Sequence, residues 1–455
     1  MFRRSRTSLH LGAVASATAT LLLALSACGG SAAAGDGGTI TVTVGYQSKT
    51  INTVTAGTLL RSLGYFEEQL NALGDGHDYK VVWQDYATGA PITAQMTAGK
   101  IDIGSMGDFP LLINAARGKQ LGRPTHLVSV TGYNLRGGLN TIVTAPDSKL
   151  TSLKDLKGKK VSTSVGSAAD GTLVRALKRA GIDADKGIEK LNQQPAVGAS
   201  ALSAGSADAL SQFVAWPGLL AYQGKAKALY DGAELDLPTF HGVTARQDFA
   251  KKRPSVLEAF LKAQAQATDY LNAHPVAAAE KVAKATGLPA EVVYLYNGAH
   301  GISTFDPALK PQLVSALKED VSILKAAKLT GDVDVDAFVD DQYVKKALGA
   351  TYAQKLFAAP PAAASEVWSE GTEQTQTFTS PTELLAYLSA HRDGVRAAYV
   401  PDATTGTLWF ADKAVWVADG QQLLPFVAPS TAQAYVDVHS GARIVTYSEA
   451  LEAAS

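Results

Sequence analysis

Ile101-Asp102-Ile103-Gly104-Ser105-Met106-Gly107-Asp108-Phe109-Pro110 decides the fold. Residues 101–104 alternate apolar and polar or small side chains and read as a strand. Residues 105–108, Ser-Met-Gly-Asp, read as a loop. A helix is expected from near Phe109, with Asp108 as its N-cap. Strand, short loop and helix make the repeating unit of an α/β sheet. The first N–H groups of such a helix have no partner inside the helix. They face the space beyond the strand's carboxyl end, where ligands of open sheets sit and where an oxyanion is well held.

The same unit recurs on both sides. Upstream, β-branched residues 39–44 read as a strand, 56–73 as a helix, 80–83 as a strand and 90–98 as a helix. Downstream, 139–144 reads as a strand, and 160–163 as a strand running into the small-residue loop 164–171. A helix over 172–180 and a strand over 208–214 follow. This alternation indicates an α/β fold with mostly parallel pairing. Residues 259–273 and 275–286 are helix-rich. The Ala-, Pro-, Ser- and Glu-rich stretch over 351–377 reads as a linker, and 378–455 as a small separate α+β domain.

Composition narrows the function. The chain has 455 residues, 46% of them hydrophobic, enough for two or three domains at about 150 residues each. A formal charge of -1 gives no broad attraction to nucleic acid. With one cysteine no disulfide can close within the chain, so packing must carry the stability. The chain has no Gly-x-Ser-x-Gly elbow, no His-Glu-x-x-His and no clustered metal ligands, and neither cofactor nor metal is expected. At the start, Arg3, Arg4 and Arg6 precede an apolar run over 11–25 and then Leu25-Ser26-Ala27-Cys28-Gly29-Gly30. This is a secretory signal pattern over 1–27. The Leu-Ser-Ala-Cys quartet resembles a bacterial lipobox. That implies a lipid on Cys28, a tether over 28–38 and a place on the outer face of a membrane. An ordinary signal with an incidental cysteine is the alternative.

Candidate ligand-binding residues follow from the loops at strand ends. Gln47 and Ser48 offer an amide and a hydroxyl to an oxygen-rich ligand, or form a polar turn. Met106, Gly107 and Asp108 stand at one helix start. Ser167 and Ala168 offer backbone amides at another, where Asp170 either caps the helix or meets a ligand amine. The 164–171 loop lacks the Gly-Lys-Ser/Thr ending of a phosphate loop. Gln212 and Trp216 follow a strand, and Trp216 can cover an apolar ligand surface or simply pack. His241 is a ligand contact or a structural histidine.

Val44-Gly45-Tyr46-Gln47, the 99–110 segment, Leu153-Lys154-Asp155-Leu156-Lys157-Gly158-Lys159-Lys160-Val161, His241 to Phe249 and Arg253-Pro254 to Phe260 occur in this order. The set resembles the binding proteins for aliphatic sulfonates, taurine, nitrate and thiamine precursors, over about 39–350. The resemblance implies a two-lobed periplasmic-binding-protein fold of type II. Lobe 1 would hold about 39–138 and 240–350, and lobe 2 about 139–239, with a small solute in the cleft between them. It also implies an ABC permease and its ATPase as partners, and no catalysis. A zwitterion such as an amino-sulfonate would satisfy both the helix starts and Asp108 or Asp170. Two other readings stand beside it. One is a solute-sensing lipoprotein that signals to a membrane partner. The other is an enzyme like the pyrimidine synthases, whose cysteine-rich segment this chain lacks.

The last segment resembles the NosL-type copper chaperone of nitrous-oxide reductase. The resemblance rests on Asp402-Ala403-Thr404-Thr405-Gly406, Leu424-Pro425-Phe426 and a closing helix–strand pair. That family implies soft sulfur ligands for copper(I). No methionine follows Met106 and no cysteine follows Cys28. His391 and His439 are expected at helix surfaces. A chaperone-like fold without a tight copper(I) site is therefore expected, serving as a docking or ligand-presenting module.

Overall fold

Lobe 1 begins with β1 (Ile40–Tyr46), β2 (Tyr79–Asp85), β3 (Ile103–Gly107) and β4 (Thr125–Asn134). The chain then crosses into β5 (Asn140–Thr144), β6 (Lys160–Thr163), β7 (Glu189–Asn192), β8 (Ala209–Phe213) and β9 (Lys227–Asp231). It returns through β10 (Thr239–Arg246) and the short β11 (Thr304–Phe305). This computed structural model describes residues 38–391 and 393–455. The signal segment 1–27, Cys28 and the tether up to residue 37 lie outside the described residues.

The six-stranded sheet of lobe 1 has the order β11-β4-β10-β3-β1-β2, and the five-stranded sheet of lobe 2 the order β7-β6-β8-β5-β9. β1 runs parallel to β2 and β3, and β6 parallel to β7 and β8. β10 is antiparallel to β3 and β4, and β5 antiparallel to β8 and β9. The sheets are thus mixed rather than mostly parallel. The reversals fall on the strands that pass between lobes, because a chain that crosses and returns must enter each sheet from the opposite end. β3, β5 and β8 are buried at every residue. Helices cover both of their faces, so these strands lack the polar alternation of a half-exposed sheet.

Three local expectations change. Residues 105–107 are not a loop but the end of β3, because Ser105, Met106 and Gly107 pair with Val243, Gly242 and His241 of β10. The helix Asp108–Gln120 starts directly after it, with Gly107 as its N-cap. The stretch 56–73 breaks at Gly64, whose φ of 74° ends one helix, Thr58–Leu63, and starts another, Tyr65–Asn71. The helix expected over 172–180 starts at Ala168, because Ser167 caps it by accepting the Asp170 N–H.

The stretch read as a linker also holds regular structure. It contains the helix Thr351–Leu356, β12 (Ser365–Ser369) and the start of β13 (Gln376–Phe378). Then come β14 (Val395–Pro401), β15 (Leu408–Phe410), β16 (Val415–Asp419), β17 (Gln422–Phe426) and β18 (Arg443–Val445). Their sheets have the orders β13-β12-β14-β15 and β17-β16-β18. A domain beginning at 378 would omit β12, an inner strand carrying the fully buried Trp368. The Leu-Pro-Phe segment is itself a strand, and an unexpected helix, Tyr447–Ala453, follows β18. This C-terminal region is not separate. One apolar core joins Ile51 and Val54 of lobe 1, Val214 of lobe 2, and Trp368, Tyr399 and Trp409. Thr39–Ser455 accordingly form one compact unit. No helix among the described residues is long and apolar enough to cross a membrane.

Candidate functional site

Four strand-to-helix junctions converge between the lobes. Thr88–Gly89 follows β2, Gly107 ends β3, Ser167–Ala168 follows β6, and Gln194 follows β7. They enclose a cavity of about 180 Å³, together with Gln47, Ser164 and His241 and the apolar faces of Pro110 and Phe213. Two junctions come from each lobe, and each brings the positive end of a helix dipole to the same space. None of the residues lining the cavity carries a formal charge.

Of the sequence candidates, Gln47, Gly107, Ser167, Ala168 and His241 meet at this cavity. Gln47 is anchored by donating from Nε2 to the Ser105 carbonyl at 3.1 Å. His241 is 4% exposed, and its Nδ1 meets the amide nitrogen of Asn52. Its Nε2 edge faces Gly107, where an added Cβ would sit 3.1 Å from Nε2. Burial pushes the His241 pKa down to about 3, so the ring is neutral near pH 7.

The other candidates lie elsewhere, for identifiable reasons. Ser48 is spent on Asp85, which accepts its N–H at 2.8 Å and its hydroxyl at 2.6 Å. Met106 points to the opposite face of β3 from Gly107, into the lobe 1 core. Asp108 is the first residue of its helix, not its cap. Its carboxylate accepts the N–H groups of Phe109 at 2.8 Å and Phe240 at 3.3 Å. Burial pushes its pKa up to about 6. Asp170 braces the loop before its helix, accepting the Gly166 N–H at 3.0 Å and pairing with Lys190 at 3.1 Å. Gln212 is fully buried and donates to Ser164 Oγ at 3.1 Å, so it positions the loop from behind. Trp216 packs with Val143, Leu202 and Leu210 in the lobe 2 core.

Sequence reading missed Thr88, Asn192 and Gln194. Thr88 and Gln194 stand at the same strand-to-helix step as Gly107, which is the signal that could have found them. The Thr88 hydroxyl is buried at the cavity without a partner. Asn192 turns its carbonyl oxygen to the Val165 N–H at 3.1 Å, which leaves its NH₂ group available.

The lobes touch beside the cavity. Gly171 lies so close to Phe109 that an added Cβ would be 2.1 Å from the ring. Arg175 of lobe 2 pairs with Asp320 of lobe 1 at 2.6 Å. A larger concavity of about 910 Å³ lies between lobe 1 and the C-terminal region, bordered by Tyr270, His274, Glu280, Tyr294, Thr375 and Arg396. Only part of its charge is paired, since Lys281, Lys284 and Glu373 also border it. Arg396 pairs with Glu280 and Glu291, while Tyr294 and Thr375 donate to Glu366 at 2.6 and 2.5 Å.

With that geometry in view, the likeness to known proteins is specific. Residues 61–278 match the NMT1/THI5-like family. A Bacillus subtilis protein named as an aliphatic sulfonates-binding protein is 26% identical over 329 residues, covering 71% of this chain and 93% of its own. The taurine-binding periplasmic protein of Escherichia coli is 25% identical over 236 residues, covering 51% of this chain and 70% of its own. The alkanesulfonate-binding protein SsuA of Xanthomonas axonopodis pv. citri, solved with MOPS bound, shares the fold at a TM-score of 0.57. It is 24% identical and covers 66% of this chain and 98% of its own. The two-lobed α/β fold is therefore that of SsuA-type periplasmic binding proteins, and the relatives mark a solute-binding role. The desulfurization enzyme DszB also shares the fold, with a TM-score of 0.51, 18% identity, and 68% of this chain and 99% of its own covered. Fold alone does not separate binding from catalysis. In the cleft, among the described residues, neither Ser164 nor Ser167 hydrogen-bonds His241, so no nucleophile–base pair is formed there.

Proposed function

We propose that this chain captures a small sulfonate-like organic anion between its lobes and delivers it to an ABC permease and its ATPase. The observation that supports this most is the uncharged cavity at which four strand-to-helix junctions from two lobes converge. Partial positive charge at helix starts, with unpartnered donors such as Thr88, suits an oxyanion without the desolvation cost of burying a lysine or arginine. Pro110 and Phe213 offer apolar surface to a short carbon chain. Closure of the lobes on the solute would let a permease tell loaded from empty protein. Cys28 carries the lipid in this reading, and the C-terminal region acts as a docking module without a tight copper(I) site.

A thermal-shift screen of sulfonates, carboxylates, amines and pyrimidines tests it. A ligand at one hundred times its Kd should stabilise the fold by about 2.7 kcal/mol. No shift with any sulfonate at millimolar concentration would remove the sulfonate reading. Cys28→Ser should move the protein from membranes to the soluble fraction, and unchanged membrane association with no acyl label would contradict the anchor.

A further inference from the structure

We propose that Asn52 is a positioning residue that holds His241 as its Nε2–H tautomer, making the cleft select an oxyanion whose far end bears no ammonium group. The inference rests on the solute-binding reading above and narrows its ligand. Asn52 is fully buried on the turn after β1, and its Nδ2 points at His241 Nδ1. An amide N–H can only donate, so Nδ1 is the acceptor and the ring proton sits on Nε2. Nε2 is the edge turned to Gly107 at the cavity wall. The ring therefore presents a neutral donor to whatever the cavity holds. The Thr88 hydroxyl and the NH₂ of Asn192 add further donors.

The carboxylates that could have received an amine are all turned elsewhere. Asp85 is held by Ser48, Asp108 by the amides of Phe109 and Phe240, and Asp170 by Gly166 and Lys190. Among the described residues, none lines the cavity. An ammonium group enclosed there would lose water and gain no counter-charge. This removes the zwitterion that the sequence allowed.

A matched pair tests the claim, since 1-propanesulfonate and taurine differ by a methyl in place of the ammonium. Calorimetry on the full chain should find 1-propanesulfonate at least tenfold tighter. The tautomer is read separately, from long-range ¹⁵N–¹H spectra of histidine-labelled protein without ligand. The His241 signal is identified among eight histidines by its loss in His241→Gln. It should show the Nε2–H pattern. Asn52→Asp should invert it to Nδ1–H and weaken 1-propanesulfonate at least tenfold. Asn52→Leu, which carries no charge, should give a mixture. An Nδ1–H pattern in the unaltered protein, or taurine binding as tightly as 1-propanesulfonate, overturns the proposal. If neither sulfonate binds, the ligand class proposed earlier fails, and the spectrum alone decides the role of Asn52.

Discussion

Two concavities in this molecule differ in the direction opposite to the usual guide of size. The space between the lobes is about 180 Å³, and the one between lobe 1 and the C-terminal region about 910 Å³. The small one has an uncharged wall, converging helix starts and a buried hydroxyl without a partner. The large one has a charged border that includes Lys281, Lys284 and Glu373, and Arg396 there pairs with Glu280 and Glu291 and stacks 4.0 Å over Trp368. Polar groups left without partners at a concave surface invite a ligand, whereas polar groups paired across a boundary hold two parts of a protein together. In the function proposed above the smaller space receives the solute, and the larger lies beside a structural contact between lobe 1 and the C-terminal region.

That contrast can be broken most forcefully at the seam. Trp368→Ala removes a fully buried ring from a core shared by both lobes and the C-terminal region. It should cost about 3–5 kcal/mol, read as a lower midpoint in denaturant for the whole chain. Separate melting of the C-terminal region with the lobes unaffected would show that the shared core is not cooperative.

Next in size is the cleft. Gly107→Val places a side chain where even a Cβ comes within 3.1 Å of His241 Nε2. Solute affinity should fall at least a hundredfold, about 2.7 kcal/mol. The far-ultraviolet circular dichroism should be unchanged. Retained affinity would move the site out of the cleft.

A smaller effect separates the two regions by pH. Asp231, at the end of β9, accepts the Thr405 hydroxyl of the C-terminal region at 2.7 Å, and burial pushes its pKa up to about 6 from 3.8. Between those values the folded state holds the proton more tightly than the unfolded chain. Its contribution is complete below pH 3.8 and is lost as pH rises through 6. Asp231→Asn keeps the shape and removes the buried charge. The variant should match the parent near pH 3.5 and exceed it by on the order of 2 kcal/mol at pH 7.5. Equal stability at both values would mean that the carboxylate is not desolvated. His241 titrates the other way. With its pKa at about 3 it takes up protons only on unfolding, so its contribution is present above pH 6.5 and falls with acid.

Much of this was legible before the fold was known. The strand over residues 160–163 and the place of Gly107, Ser167 and Ala168 at helix starts beside the cavity come from local pattern, since β-branched runs and small residues before a helix act through their immediate neighbours. What stayed hidden depends on distant partners. Residues 105–107 become a strand only because β10, more than 130 residues later, pairs with them. Asp108 looked like a cap because its second acceptor contact, the Phe240 N–H, comes from that same remote strand. β12 was lost in an Ala- and Pro-rich stretch, where the average composition masks the five residues Ser365–Ser369 that carry Trp368. The Asn52–His241 contact spans 189 positions, and no periodicity announces it.

The most direct measurement is calorimetry with 1-propanesulfonate on three proteins: the unaltered chain, Gly107→Val in the small cavity and Ala277→Trp at the border of the large one. Ala277 is exposed, so tryptophan there should fill space without disturbing the core. The expected result is one solute per chain in the unaltered protein, no measurable binding in Gly107→Val, and affinity within twofold of the parent in Ala277→Trp. Binding that survives Gly107→Val and disappears in Ala277→Trp would contradict the assignment of the cleft as the solute site.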